Sequence, residues 1–182
     1  VPLLAHSEYD VVANALQGYG SDTYGYIRVN YLEPGCAEGY AAHYRFSQDG
    51  SREEFSISKP FESVQRGRTF AEFNTMQPDP NPDKLDDESP HWVQIVNLHQ
   101  TAFRNFRVVI RNLLGSVVSD ETVVIGPRSR YDTQGGHGTP GKLQAGTIEV
   151  IPSDPNTPFL AQLHNYNANG PVSTLADTFS FA

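Results

Sequence analysis

Acidic oxygens crowd one stretch of this chain. Asp79-Pro80-Asn81-Pro82-Asp83 sets oxygen-bearing side chains at alternate positions, and Asp87 follows shortly after. Alternating oxygens of this kind can converge on a hard cation such as Ca²⁺, which takes carboxylate and amide ligands. Asp79, Asn81, Asp83 and Asp87 are therefore the candidate metal ligands, and Ca²⁺ is the one cofactor that the sequence suggests. The stretch is not an EF-hand: Lys84 stands where that loop needs glycine, and Pro90 where it needs a bidentate glutamate. Lys84 and the prolines also oppose a tight wrap. The competing reading is a solvated acidic connection that holds no cofactor.

The other residue types able to do chemistry are dispersed. His6, His43, His91, His99, His137 and His164 form no HxH or HxxxH pair, the spacing that would seed a zinc site. His137 lies in the glycine-rich run 135–141 with Asp132 nearby, as a general base would. An ordinary solvated loop histidine looks the same. There is no Gly-x-Ser-x-Gly elbow and no glycine-rich phosphate loop. The Ser, His and Asp of a triad are present, as in most chains, so they decide nothing. Cys36 is the single cysteine, which excludes an internal disulfide and any paired-cysteine metal motif. No catalytic residue is identified.

The elements that would position such groups read as strands. Within 91–133, Phe106, Val108 and Ile110 alternate with Arg107 and Arg111, the period of half-buried β-structure. Similar runs occupy 3–16, 23–32, 39–47, 53–58 and 69–73 in the first half. In the second half they occupy 92–98, 106–111, 116–125, 147–151 and 158–166. Asp49-Gly50 marks a tight hairpin, and Asn112-Leu113-Leu114-Gly115 a second, with Gly115 at positive φ. No sustained helical period occurs. The fold class expected is all-β: an antiparallel β-sandwich of immunoglobulin-like or jelly-roll type. The acidic, proline-rich 77–90 divides it into lobes 1–76 and 91–182, unless the two form one continuous domain.

Composition narrows the partners. The chain has 182 residues and a net charge of −8, with 13 basic residues scattered and clustered only at Arg128 and Arg130. Nucleic-acid binding needs a basic face that is missing here. No apolar run is long enough for a membrane span. One cysteine and one methionine suit an extracellular protein that avoids oxidisable side chains. The chain begins at Val1, which fits either a removed leader or a piece of something longer.

The two ends echo each other. Pro2-Leu3-Leu4-Ala5 recurs as Pro158-Phe159-Leu160-Ala161, and Asp22-Thr23-Tyr24-Gly25-Tyr26 as Asp177-Thr178-Phe179-Ser180-Phe181, at nearly equal offsets. That is the pattern of a slice from a tandem array, or of a subunit whose last strand completes its neighbour. The plain alternative is a last strand that pairs within its own domain.

The second half resembles the repeated β-sandwich modules of bacterial secreted and cell-surface proteins. The resemblance rests on a strand ending in asparagine (Val93-Gln94-Ile95-Val96-Asn97), a hairpin with a glycine turn (Gly115), and the stretch Gly126-Pro127-Arg128-Ser129-Arg130. Gly-x-Ile-x-Val from Gly146 to Val150 and a proline-led strand at 158–163 complete it. The resemblance implies an extracellular adhesive or structural role and transfers no catalytic residue.

The leading expectation is a non-enzymatic extracellular structural or assembly module, partnered by copies of itself or by neighbouring modules, in an array or filament. The first alternative is a carbohydrate-binding module. It rests on Tyr9, Tyr19, Tyr24, Tyr26, Tyr31, Tyr40 and Tyr44, whose flat faces could stack on sugars, though cross-strand packing uses them equally well. The second is a glycan-acting enzyme on a β scaffold, which would need paired carboxylates or a Tyr/His pair in a cleft.

Overall fold

The computed structural model describes residues 9–11, 27–30, 40–46, 49, 51, 53–74, 91–135, 145–167 and 174–180. Ten antiparallel strands run through them, with no helix among the described residues. They are β1 (Tyr40–Phe46), β2 (Glu53–Pro60), β3 (Thr69–Asn74), β4 (His91–Asn97), β5 (Arg104–Asn112), β6 (Val117–Ile125), β7 (Arg130–Gln134), β8 (Ala145–Pro152), β9 (Phe159–Asn167) and β10 (Thr174–Ser180).

β1 and β2 form a two-stranded hairpin. Its Asp49 carboxylate accepts from the Ser51 backbone N–H at 3.1 Å, the local bond that makes aspartate a turn residue. Two four-stranded sheets hold the rest, in the orders β10-β9-β4-β7 and β3-β8-β5-β6. Both feed one apolar cluster. β4 and β9 give Val93, Ile95, Phe159, Ala161 and Leu163. β5, β6, β8 and β3 give Phe106, Val108, Ile110, Val123, Ile125, Ile148, Val150, Ala71 and Phe73. Phe106 and Phe159 meet edge to face at 5.4 Å between ring centres, one ring from each sheet. At one margin Thr133 of β7 donates to Glu121 of β6 at 2.5 Å.

Two strand motifs have clear physical reasons. In Gly-x-Ile-x-Val, Ile148 and Val150 are fully buried, and a Cβ on Gly146 would lie 1.9 Å from the Arg111 carbonyl oxygen. Only glycine lets the two strands approach so closely. At Gly115, φ is +79°, and the turn closes by a Gly115 N–H bond to the Asn112 carbonyl at 2.9 Å. The Asn112 side chain also accepts from Leu114 and Ser116 N–H, each at 3.0 Å.

Two features depart from the sequence reading. Residues 27–30, expected within a strand, belong to none, and Ile27 and Val29 stay exposed. Alternation gives a chain one apolar face, but a strand also needs a partner for its backbone. β7 was not expected, because Arg130-Tyr131-Asp132-Thr133-Gln134 has no apolar face; five backbone pairings to β4 hold it instead. Of the two arrangements open to the last strand, β10 takes the plain one and pairs with β9 of its own chain. β3, which precedes 77–90 in sequence, pairs with β8 along its whole length. Upstream of β3, Gln65 bridges to Phe159, and its side-chain oxygen accepts from the Ala161 N–H at 2.7 Å.

Candidate functional site

The predicted ligands Asp79, Asn81, Asp83 and Asp87 lie outside the described residues, as do Cys36, His6 and His137. So do the side chains of His43 and of every tyrosine in the first-half set except Tyr9 and Tyr40, both exposed. Among the described residues no three His, Cys, Asp or Glu side chains gather as a metal site would require.

Three histidines can be placed, and each has separate work. His91 is buried and packs edge to face on Phe73, with ring centres 6.5 Å apart. His99 accepts through Nδ1 from the Thr101 and Ala102 N–H groups at 3.2 and 3.0 Å, holding a turn. His164 belongs to a side-chain network on a sheet face.

That network spans the outward face of β9-β4-β7. The register aligns Trp92 with His164 and Gln134, Gln94 with Gln162 and Asp132, and Val96 with Leu160 and Arg130. Residues two apart on a strand share a face, so these three rows lie side by side. Gln94 stands at the centre. With its amide nitrogen toward β9 it donates to His164 Nε2 at 2.7 Å, and its carbonyl accepts from Arg130 Nε and Nη1, both at 2.9 Å. Arg130 Nε also reaches Asp132 Oδ1 at 2.8 Å. Trp92 borders the network, 38% exposed, while Val96 in the third row is buried.

A second polar cluster is architectural. Asn97 ends β4 with no exposure. Its Nδ2 donates to the carbonyls of Ala102, Ile125 and Gly126 at 3.0, 3.0 and 2.9 Å, and its Oδ1 accepts from His99 N–H at 3.0 Å. This one side chain ties the end of β4 to the approach to β5 and the end of β6.

The opposite sheet's outward face carries charge already paired across strands. Arg107 grips Asp120 through two bonds, Nε to Oδ1 at 2.7 Å and Nη2 to Oδ2 at 2.5 Å. The hydrogen bond from Arg107 and its positive charge hold the Asp120 carboxyl below its ordinary value, and Asp120 raises Arg107 in return. Arg68 Nε lies 2.7 Å from the buried Glu149 carboxylate. Of the two clustered arginines, Arg128 bonds to Gln100 and Arg130 to Asp132.

Large apolar side chains are exposed at the two ends of β5. Phe103, just before it, is 67% exposed; Leu113 and Leu114, just after it, are 75% and 89% exposed. No helix of the described residues is long and apolar enough to cross a membrane.

No protein-family model matches the chain, and no curated protein matches it. Two solved structures are similar at a low level. The Thermotoga maritima protein 1070 aligns with a TM-score of 0.47 at 16% identity, over 65% of this chain and 94% of that one. The Anabaena sensory rhodopsin transducer aligns with a TM-score of 0.38 at 15% identity, over 56% of this chain and 99% of that one. Likeness at this level bears on neither the fold nor the work of this chain.

Proposed function

We propose that the chain is a non-enzymatic, extracellular structural module of β-sandwich type that assembles end to end with copies of itself or with neighbouring modules. The observation that carries this reading is the pair of apolar ends on β5. A nine-residue strand spans about 30 Å at ~3.4 Å per residue. Phe103 and the Leu113-Leu114 tip therefore sit at opposite poles of the domain. Leu113 and Leu114 are adjacent and both exposed, so the hairpin tip presents one contiguous apolar spot, the kind of surface that a partner covers. The Leu113-Leu114 turn is well built, with the Asn112 side chain and Gly115 fixing it.

The apolar cluster drawn from both sheets supports the sandwich arrangement, and the acidic balance with sparse Cys and Met supports an extracellular setting. The likeness of Val93-to-Leu163 to surface-protein repeats points the same way. Two different poles make a heterologous, head-to-tail contact, which propagates until something caps it.

Light scattering on concentrated protein tests this. The parent chain should form concentration-dependent multimers. Phe103→Ser and the double variant Leu113→Ser/Leu114→Ser should each be monomeric, yet a mixture of the two should give dimers, since each keeps one working pole. A parent chain that stays monomeric at every concentration overturns the reading, and so do multimers that ignore both sets of substitutions.

A further inference from the structure

We propose that the outer edge of β6 pairs with β6 of a second copy, antiparallel about a two-fold axis at Thr122, and so joins end-to-end strings side by side. The inference takes its setting from the end-to-end reading but rests on other residues. β6 closes one side of the order β3-β8-β5-β6, and no described strand pairs with its outer edge. At nine residues it is longer than the other edge strands of the two sheets, β3, β7 and β10, at six, five and seven. Such an edge is a template for another strand, which chains commonly block with proline, lysine or a bulge. Residues 119–125 hold no proline or lysine, and the register shift against β5 falls before them.

The ladder fixes which backbone groups face outward. Asn105 accepts from the Ser153 N–H at 2.9 Å, so the odd-numbered residues of β5 turn toward β8 and the even-numbered ones toward β6. Phe106 and Val108 stand opposite Val123 and Glu121, which therefore bond inward. The N–H and C=O groups of Asp120, Thr122 and Val124 are left pointing out of the sheet edge. Charge then selects the register. A two-fold axis at Asp120 or Glu121 would set that acid against its own copy, which is destabilising. An axis at Thr122 sets Thr122 against Thr122, Asp120 against Val124 and Glu121 against Val123. It pairs all of 119–125 and makes about six backbone hydrogen bonds. Both acids already have partners within the chain: Arg107 grips Asp120, and Glu121 accepts from Thr133. An edge pair of this kind falls well below the ~1,000 Å² of a stable interface, so lone modules part again. Strings repeat the contact, and each contact raises the effective concentration of the next.

Disulfide trapping tests the contact without the poles. The whole chain carries Cys36→Ser, Phe103→Ser, Leu113→Ser and Leu114→Ser, together with one new cysteine. Hydrogen-bonded partners in an antiparallel pair lie about 5.5 Å apart at Cα, within reach of a disulfide. Under mild oxidation Thr122→Cys should give covalent dimers at least about tenfold faster than Val124→Cys, whose copy would lie about 14 Å away. In the parent, electron microscopy should show strings in pairs. Thr122→Pro should give single strings with the parent's urea midpoint, because the N–H it removes faces out of the sheet. If Thr122→Pro fails to fold, Val124→Asp takes its place: it sets an acid against Asp120 of the second copy, and Val124 is 64% exposed. Equal trapping of Thr122→Cys and Val124→Cys overturns the proposal and leaves the edge to a strand of another protein. Paired strings in folded Thr122→Pro, or in Val124→Asp where it stands in, overturn it as well. A parent without strings counts against the end-to-end reading alone, because the trap does not need the poles.

Discussion

Asn97 offers the sharpest test of how this domain holds together. It lies within the core margin with no exposure, and its side chain satisfies three carbonyls and one N–H. Each net hydrogen bond is worth about 1 kcal/mol, and a buried group left unpaired costs about 1–3 kcal/mol. Two amide hydrogens serve three acceptors, so the set counts as about three full bonds. Asn97→Ala should therefore cost about 3–4 kcal/mol, a shift of about 2 M in urea midpoint for a slope of about 1.5 kcal/mol per M. Asn97→Asp is isosteric and should be worse at neutral pH, because a carboxylate would face three carbonyl oxygens. Its folded-state pKa would then be raised above the unfolded value. Such a group favours folding only while protonated, so the deficit relative to the parent should shrink near pH 4 and grow as pH rises. Urea melts of parent and both variants at acid and neutral pH measure this directly. If Asn97→Ala stays within about 1 kcal/mol of the parent, or if the Asp deficit does not change with pH, the hydrogen-bond account is wrong.

Other outcomes follow from single contacts. Gly146→Ala should cost about 2–3 kcal/mol by urea melt, because its Cβ would press on the Arg111 carbonyl. Asp120 should titrate below the ordinary carboxylate range by carbon-detected NMR and return to it in Arg107→Ala. Its folded pKa is lowered, so whatever stability the pair gives is present above the unfolded pKa and lost as pH falls through the folded one. The pair is exposed, so salt should weaken it. For Asp79, Asn81, Asp83 and Asp87, the solvated-connection reading predicts no heat on calcium titration and an unmoved melting temperature. A saturable heat lost in Asp83→Ala would establish a calcium loop there instead.

What could be read from the chain follows from whether the signal is local. β5 declares itself because Phe106, Val108 and Ile110 bury every second residue in sequence. Gly115 and Asp49 act within their own turns, so their residue types suffice. Asn97 was visible as a strand-ending asparagine, but its partners at 102, 125 and 126 were not. β7 escaped notice because Arg130-to-Gln134 is polar on both faces and depends on pairing to β4. Residues 27–30 misled for the converse reason: they alternate without joining a sheet. The Gln94 network was hidden most deeply. Gln94, Arg130 and His164 are far apart in sequence, and only the order β9-β4-β7 makes them neighbours.

Contacts at the poles of β5 use hairpin and loop residues, which can change without disturbing the sheets. Leu113 and Leu114 lie 75% and 89% exposed on a turn that Asn112 and Gly115 hold, so Leu113→Ser/Leu114→Ser removes apolar surface without removing a core contact. Its urea midpoint should match the parent's while its multimers disappear; a fall in both would show that the tip packs within its own domain and is no pole for assembly.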